Sequence, residues 1–93
     1  MSKKYVNIAA AATTTVRSGP GFLEAILVNK TIASATITIY DNTAGSGTKI
    51  GTIAYPATLL NNTDQFNYGG VKFNTGLTIV TDQATDLTVV YRD

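Results

Sequence analysis

The chain has 93 residues, 44% of them hydrophobic and only 14% charged, with a net charge of +1 and neither cysteine nor histidine. That length fits one domain with a modest core, and the charge content lies well below the roughly 25% of an average soluble domain. Apart from Lys3 and Lys4 the basic residues are scattered singly, so no basic stripe exists to hold nucleic acid or an anionic membrane, and disulfide, thiolate and imidazole chemistry go with the missing residue types.

No apolar run approaches the roughly 18 residues of a membrane span. The start, MSKKYVNI, lacks the apolar stretch of a secretory signal. The missing signal and the missing cysteines suit a protein made and kept in the cytosol. Polarity comes instead from 16 threonines, β-branched residues that fit a pleated, half-buried surface.

Apolar residues recur with a period near two, and turn residues interrupt them roughly every 8–12 positions, which predicts strands throughout. The first predicted strand is Tyr5–Ala9 and the second Ala12–Arg17; SGPG, residues 18–21, turns the chain. Phe22–Asn29 follows, with Leu23, Ala25 and Leu27 on one face and Phe22, Glu24, Ile26 and Val28 on the other. Both faces are largely apolar, so Ile26 and Val28 call for cover by a loop or by another subunit.

Ser34–Asp41 alternates cleanly, with Ala35, Ile37 and Ile39 on one face. In Thr48–Tyr55, Ile50 and Ile53 are three apart around Gly51, which predicts a β-bulge. Residues 57–64 form a loop. Gln65–Asn74 is a strand interrupted at Gly69-Gly70. Leu77–Thr81 and Leu87–Arg92 complete the set, joined by the turn Asp82–Asp86. The expected fold is all-β: an antiparallel sandwich of about eight short strands, of jelly-roll or other connectivity, or else a small barrel. It forms one domain over residues 1–93, with residues 1–4 as an arm. Such sheets have edges, and few edge charges are present to discourage pairing with another chain.

The chemistry of the side chains is sparse. None of the four serines sits in a nucleophile elbow, and no residue set asks for a metal or a cofactor. Asp82 and Asp86 bracket a short turn and read as caps on local backbone. Glu24 in an apolar strand reads as exposed or lysine-paired. The sequons at Asn29 and Asn61 carry little weight without a signal peptide. Phe66 and Tyr68, beside Gly69-Gly70, are the best aromatic contact candidates. With Ile26 and Val28 they make up the expected protein interface.

Residues 40–49, YDNTAGSGTK, use the vocabulary of a phosphate loop. Yet the lysine follows the threonine, the glycines are misplaced, and the β-patterned Ile50–Tyr55 follows instead of a helix whose N-terminus could face a phosphate. The stretch is therefore expected to be an exposed, mobile hairpin tip.

ATITIYDNTAGSGTKIGTIAYP, with GGVKFNTGLTIV and DLTVVYR later in the chain, resembles small structural proteins of tailed bacteriophages. The likeness runs over residues 19–92 and is one of turns and strands, with no catalytic residues to carry over. It implies a β-sandwich in the virus particle, made in the host cytoplasm: first a capsid decoration (cement) protein, otherwise a head-fibre, spike, neck or tail component. The expected partners are copies of itself, a trimer first, and the major capsid protein or other virion proteins. The other expectation, a glycan- or receptor-binding module, predicts binding lost on Tyr68→Ala or Phe66→Ala. The resemblance leaves open whether residues before 19 form a docking arm or part of the sandwich.

Overall fold

Eight strands form in the computed structural model, which describes residues 2–93. They are β1 (Lys4–Ile8), β2 (Ala12–Ser18), β3 (Gly21–Lys30), β4 (Thr36–Tyr40), β5 (Lys49–Ala54), β6 (Asp64–Phe73), β7 (Gly76–Thr81) and β8 (Asp86–Arg92). One four-stranded sheet, sheet A, has the order β1-β8-β3-β6; the other, sheet B, has the order β2-β7-β4-β5. All pairings are antiparallel. The two sheets pack into a β-sandwich. β1 and β2 contribute one strand to each sheet, so the segment before residue 19 belongs to the sandwich. Of the arm expected over 1–4, Met1 lies outside the described residues and Lys4 opens β1.

The core lies between the sheets. Leu23, Ile26, Val28, Phe73, Leu87 and Val89 meet Ile37, Ile39, Ile53, Leu77 and Ile79 there. Burial of each such side chain stabilises by about 1.5–3 kcal/mol.

The two apolar faces of β3 are resolved by a bulge. Leu23 pairs with Tyr91 and Ala25 with Val90, so Glu24 is an extra residue against β8. One extra residue reverses the alternation of a strand. Leu23, Ile26 and Val28 therefore all face inward, at 0%, 0% and 1% exposure. The need for cover of Ile26 and Val28 by a loop or a subunit is corrected: the opposite sheet covers them. Phe22, Ala25 and Leu27 face out instead. Against Glu24, β6 loops out by more than one residue between Asn67 and Val71. There Gly69 and Gly70 take left-handed φ values of 64° and 77°, a conformation that costs glycine little. The expected interruption of this strand is thus a bulge within one continuous element. The bulge expected near Gly51 also forms: Ile50 is the extra residue between the Ile39–Gly51 and Tyr40–Lys49 pairs.

The loop of residues 41–48 joins β4 to β5 as the expected hairpin and is exposed from Thr43 to Thr48, but it does not stand free. Asp41 turns its carboxylate onto the β6–β7 turn. It accepts the backbone N–H groups of Asn74 at 3.0 Å, Thr75 at 2.8 Å and Gly76 at 3.3 Å. The Asn42 carbonyl accepts the Thr78 hydroxyl at 2.7 Å, and the Thr43 carbonyl accepts that of Thr15 at 3.2 Å. Gly45 lies so close to sheet B that a Cβ there would stand 2.9 Å from Val80 Cγ2. Thr78, on the outer face of sheet B, is fully buried beneath this loop. Small residues and backbone acceptors fold the stretch back onto the threonine face.

Desolvation pulls the Asp41 carboxyl upward, but the three backbone N–H groups outweigh it and hold its pKa below the ordinary 3.8. A folded-state value below the unfolded one means the contribution is complete above the unfolded value. It is lost as pH falls through the lowered folded value. Asp41→Ala is expected to destabilise the protein by about 1–2 kcal/mol at neutral pH, discounted for partial solvent exposure. Thermal melts should show the gap between wild type and variant closing below pH 4 or so; a gap unchanged at acid pH would contradict the clamp.

Candidate functional site

Where such a sandwich can be approached depends on its edges and faces. The edge strands are β1, β6, β2 and β5. β2 is bulged at Val16, β5 at Ile50 and β6 at Gly69-Gly70. β1 has only five residues. Bulges and short length blunt an edge against strand addition as charges do. The edge-to-edge association expected from low charge therefore has little footing, and the faces remain.

The outer face of sheet A carries an apolar centre. Register places Tyr5, Val90, Ala25 and Asn67 in one row across the sheet, and Asn7, Thr88, Leu27 and Gln65 in the next. Phe22 lies between Arg92 and Lys72 in a third row. Tyr5 is 74% exposed, and Phe22, Ala25, Leu27 and Val90 are half-buried. The Arg92 guanidinium sits over the Phe22 ring, 4.5 Å from its centroid, a cation–π contact that also covers the ring's apolar face.

A polar rim surrounds this centre. At one end Glu24 pairs with Arg92 at 2.5 Å and Lys3 at 3.9 Å, and Asp93 pairs with Lys4 at 2.6 Å and Arg17 at 3.1 Å. The expected lysine pairing of Glu24 is there, with arginine the closer partner. At the other end Asp86 accepts the side-chain amides of Asn7 at 2.8 Å and Asn29 at 3.2 Å, which hold its pKa below the ordinary 3.8. Asp82 accepts the Thr36 N–H at 2.7 Å. Neither aspartate caps its own turn as expected; each ties that turn to a distant strand. The sequon segments meet each other, with Thr31 donating to the Asn61 carbonyl at 2.7 Å. Among the described residues no three histidine, cysteine, aspartate or glutamate side chains gather as metal ligands would.

Charge is divided along the strands. Lys3, Lys4, Arg17, Lys49, Lys72 and Arg92 stand with Glu24, Asp41 and Asp93 at the Phe22 end, a net +3 of the chain's +1. Lys30 stands with Asp64, Asp82 and Asp86 at the Val28 end, a net −2.

The expected interface residues are not on this face. Ile26 and Val28 are core. Phe66 pairs with buried Ile26 and so faces inward, as does Tyr68 two residues on. Both are half-buried and pack against the core. Tyr68 crosses to sheet B, where a Cβ on Gly51 would lie 2.9 Å from its hydroxyl, and burial raises its pKa. A glycan surface on these two rings loses its platform. At the other end of the same open side, Tyr55 donates to Asp64 at 3.4 Å. Burial, then the Asp64 charge and this hydrogen bond, push the Tyr55 hydroxyl up to about 12. Tyr55 and Asp64, with Pro56, Leu59, Leu60 and Asn61, line a cleft of about 170 Å³.

Sequence reasoning missed Phe22, Ala25, Leu27 and the Tyr55–Asp64 pair. The one available signal for the first three was Glu24, a charge inside an apolar run that faces Gly69-Gly70. Comparison of the chain with protein-family models, curated proteins and solved structures finds no match.

Adjacent residues on β3 test the inside-out assignment. Ile26→Ala is expected to cost about 2–5 kcal/mol, and Leu27→Ala about 1 kcal/mol or less. Urea unfolding measures both; equal losses would refute the bulge at Glu24.

Proposed function

We propose that this chain is a structural subunit of a tailed-bacteriophage particle, a capsid decoration protein that binds and stabilises the assembled shell. The observation that carries the reading is the outer face of sheet A, with an apolar centre of Tyr5, Phe22, Ala25, Leu27 and Val90 and a rim of paired charges and amides. An apolar centre within a polar rim is the anatomy of a protein interface. The sandwich extends 36 × 25 × 17 Å. Its broad face therefore suits the roughly 800 Å² per partner of a standard contact.

Connectivity supports the same reading. The first strand pairs with the eighth, the second with the seventh, the third with the sixth and the fourth with the fifth. We infer a jelly roll from this rolled pairing, an architecture used by viral capsid and lectin domains. The likeness of residues 35–56, 69–80 and 86–92 to phage structural proteins points to the first of those. In this reading the chain has no catalytic role. Its work is buried area, repeated over a lattice, where many modest contacts add up. The pairing of Glu24 and Asp93 within the rim limits the charge left to desolvate.

Purified protein is expected to co-sediment with mature capsids of its phage and to raise their resistance to heat. Leu27→Lys, which adds a charge to the apolar centre without touching the core, should abolish co-sedimentation while leaving the melting temperature within a few degrees. Capsids that neither bind the protein nor gain heat resistance would overturn the proposal.

A further inference from the structure

Strand β6 begins with an anion and ends near a cation, and neither has an ionic partner among the described residues. Four of the other carboxylates are held by distant parts of the fold: Glu24 and Asp93 by cations, Asp41 and Asp82 by backbone N–H groups. Asp86 is held by two amides. Asp64 accepts only its neighbour Gln65 N–H at 2.9 Å and the Tyr55 hydroxyl at a long 3.4 Å. Lys72 forms none of the ion pairs among the described residues. It lies on the outer row beside Phe22, about 20 Å along the strand from Asp64 once the bulge is allowed for. The two cannot meet within one molecule.

We propose that copies of this chain associate head to tail, with Lys72 of one copy seated in the Asp64 cleft of the next. The cleft has the shape of chemistry a lysine uses. Pro56, Leu59 and the 92% exposed Leu60 offer apolar walls for the aliphatic stem. Asp64 and the Tyr55 ring line the same cleft and can receive the ammonium. The surrounding charges agree: the Lys72 end carries the chain's positive excess and the Asp64 end its negative excess. Like ends repel, so a two-fold contact through either end is disfavoured. A head-to-tail contact is heterologous, and such contacts close into rings or continue as filaments. The inference rests on reading the chain as a subunit of a larger assembly, but its test needs no capsid.

Sedimentation velocity of the full chain measures it. Wild type should associate at about 0.1 M salt and dissociate at about 1 M, as the Debye length falls from about 10 to about 3 Å. Asp64→Lys and Lys72→Asp should each weaken association by about 30-fold or more. The double variant Asp64→Lys/Lys72→Asp, and an equal mixture of the two single variants, should recover it. Far-UV circular dichroism and thermal melts identify any variant that fails to fold, and the mixture then decides between folded partners. A wild type that stays monomeric, single variants that associate as wild type does, or folded swaps that fail to recover association would each overturn the proposal. Capsid binding that survives such a result leaves the shell reading standing; its loss with association intact removes that reading alone.

Discussion

One carboxylate holds together two segments that the chain separates by more than thirty residues. Asp41 accepts three consecutive backbone N–H groups from the β6–β7 turn. Those donors would otherwise need water or another partner. Because Asp41 directly follows β4 and the turn joins sheet A to sheet B, the contact fixes where the β4–β5 loop must lie. The loop then covers Thr78 and reaches Val80 on the outer face of sheet B, while Thr13, Thr15, Thr52 and Ala54 stay exposed. Gly76 completes the fit. A Cβ there would stand 2.9 Å from the backbone oxygens of both Arg17 and Asn42, and backbone cannot yield as a side chain can.

With one face partly roofed and threonine-rich and the edges bulged or short, sheet A offers the broad apolar approach. Its bulge at Glu24 does two things at once. It carries Ile26 and Val28 into the core, and it delivers Ala25 and Leu27 to the surface. The same irregularity brings Glu24 to Arg92, which covers Phe22. Core and interface are thus set by a single extra residue, and neither can be altered there without disturbing the other.

The strands were legible in the sequence because period two and turn residues are local signals. All eight appear within a few residues of their expected bounds, and the Ile50–Gly51 bulge announced itself through a broken period. The parity of β3 was not legible. An apolar strand with two apolar faces contains no local information about which face is inside, and the deciding bulge depends on pairing with β8 and β6, far away in sequence. The same holds for Asp41, Asp82 and Asp86. Each looked like a local turn residue, yet each bonds to a segment that only the tertiary fold brings near. Tyr55 and Asp64 were individually visible, but the cleft between them exists only once the sheets close.

The rolled pairing of strands also has a kinetic side. Only β4 and β5 are neighbours both in sequence and in a sheet. Every other pairing must close a longer loop before any contact rewards it, and the β1–β8 pair joins Lys4 to Tyr91. In such a fold only hairpin 36–54 pairs through a short loop, and a lone hairpin is marginally stable in water, so its stability depends on strands that are distant in sequence. Chains dominated by such distant pairings fold in milliseconds to seconds rather than microseconds. During that interval the apolar β3, central to sheet A, must wait for partners that arrive from both directions along the chain.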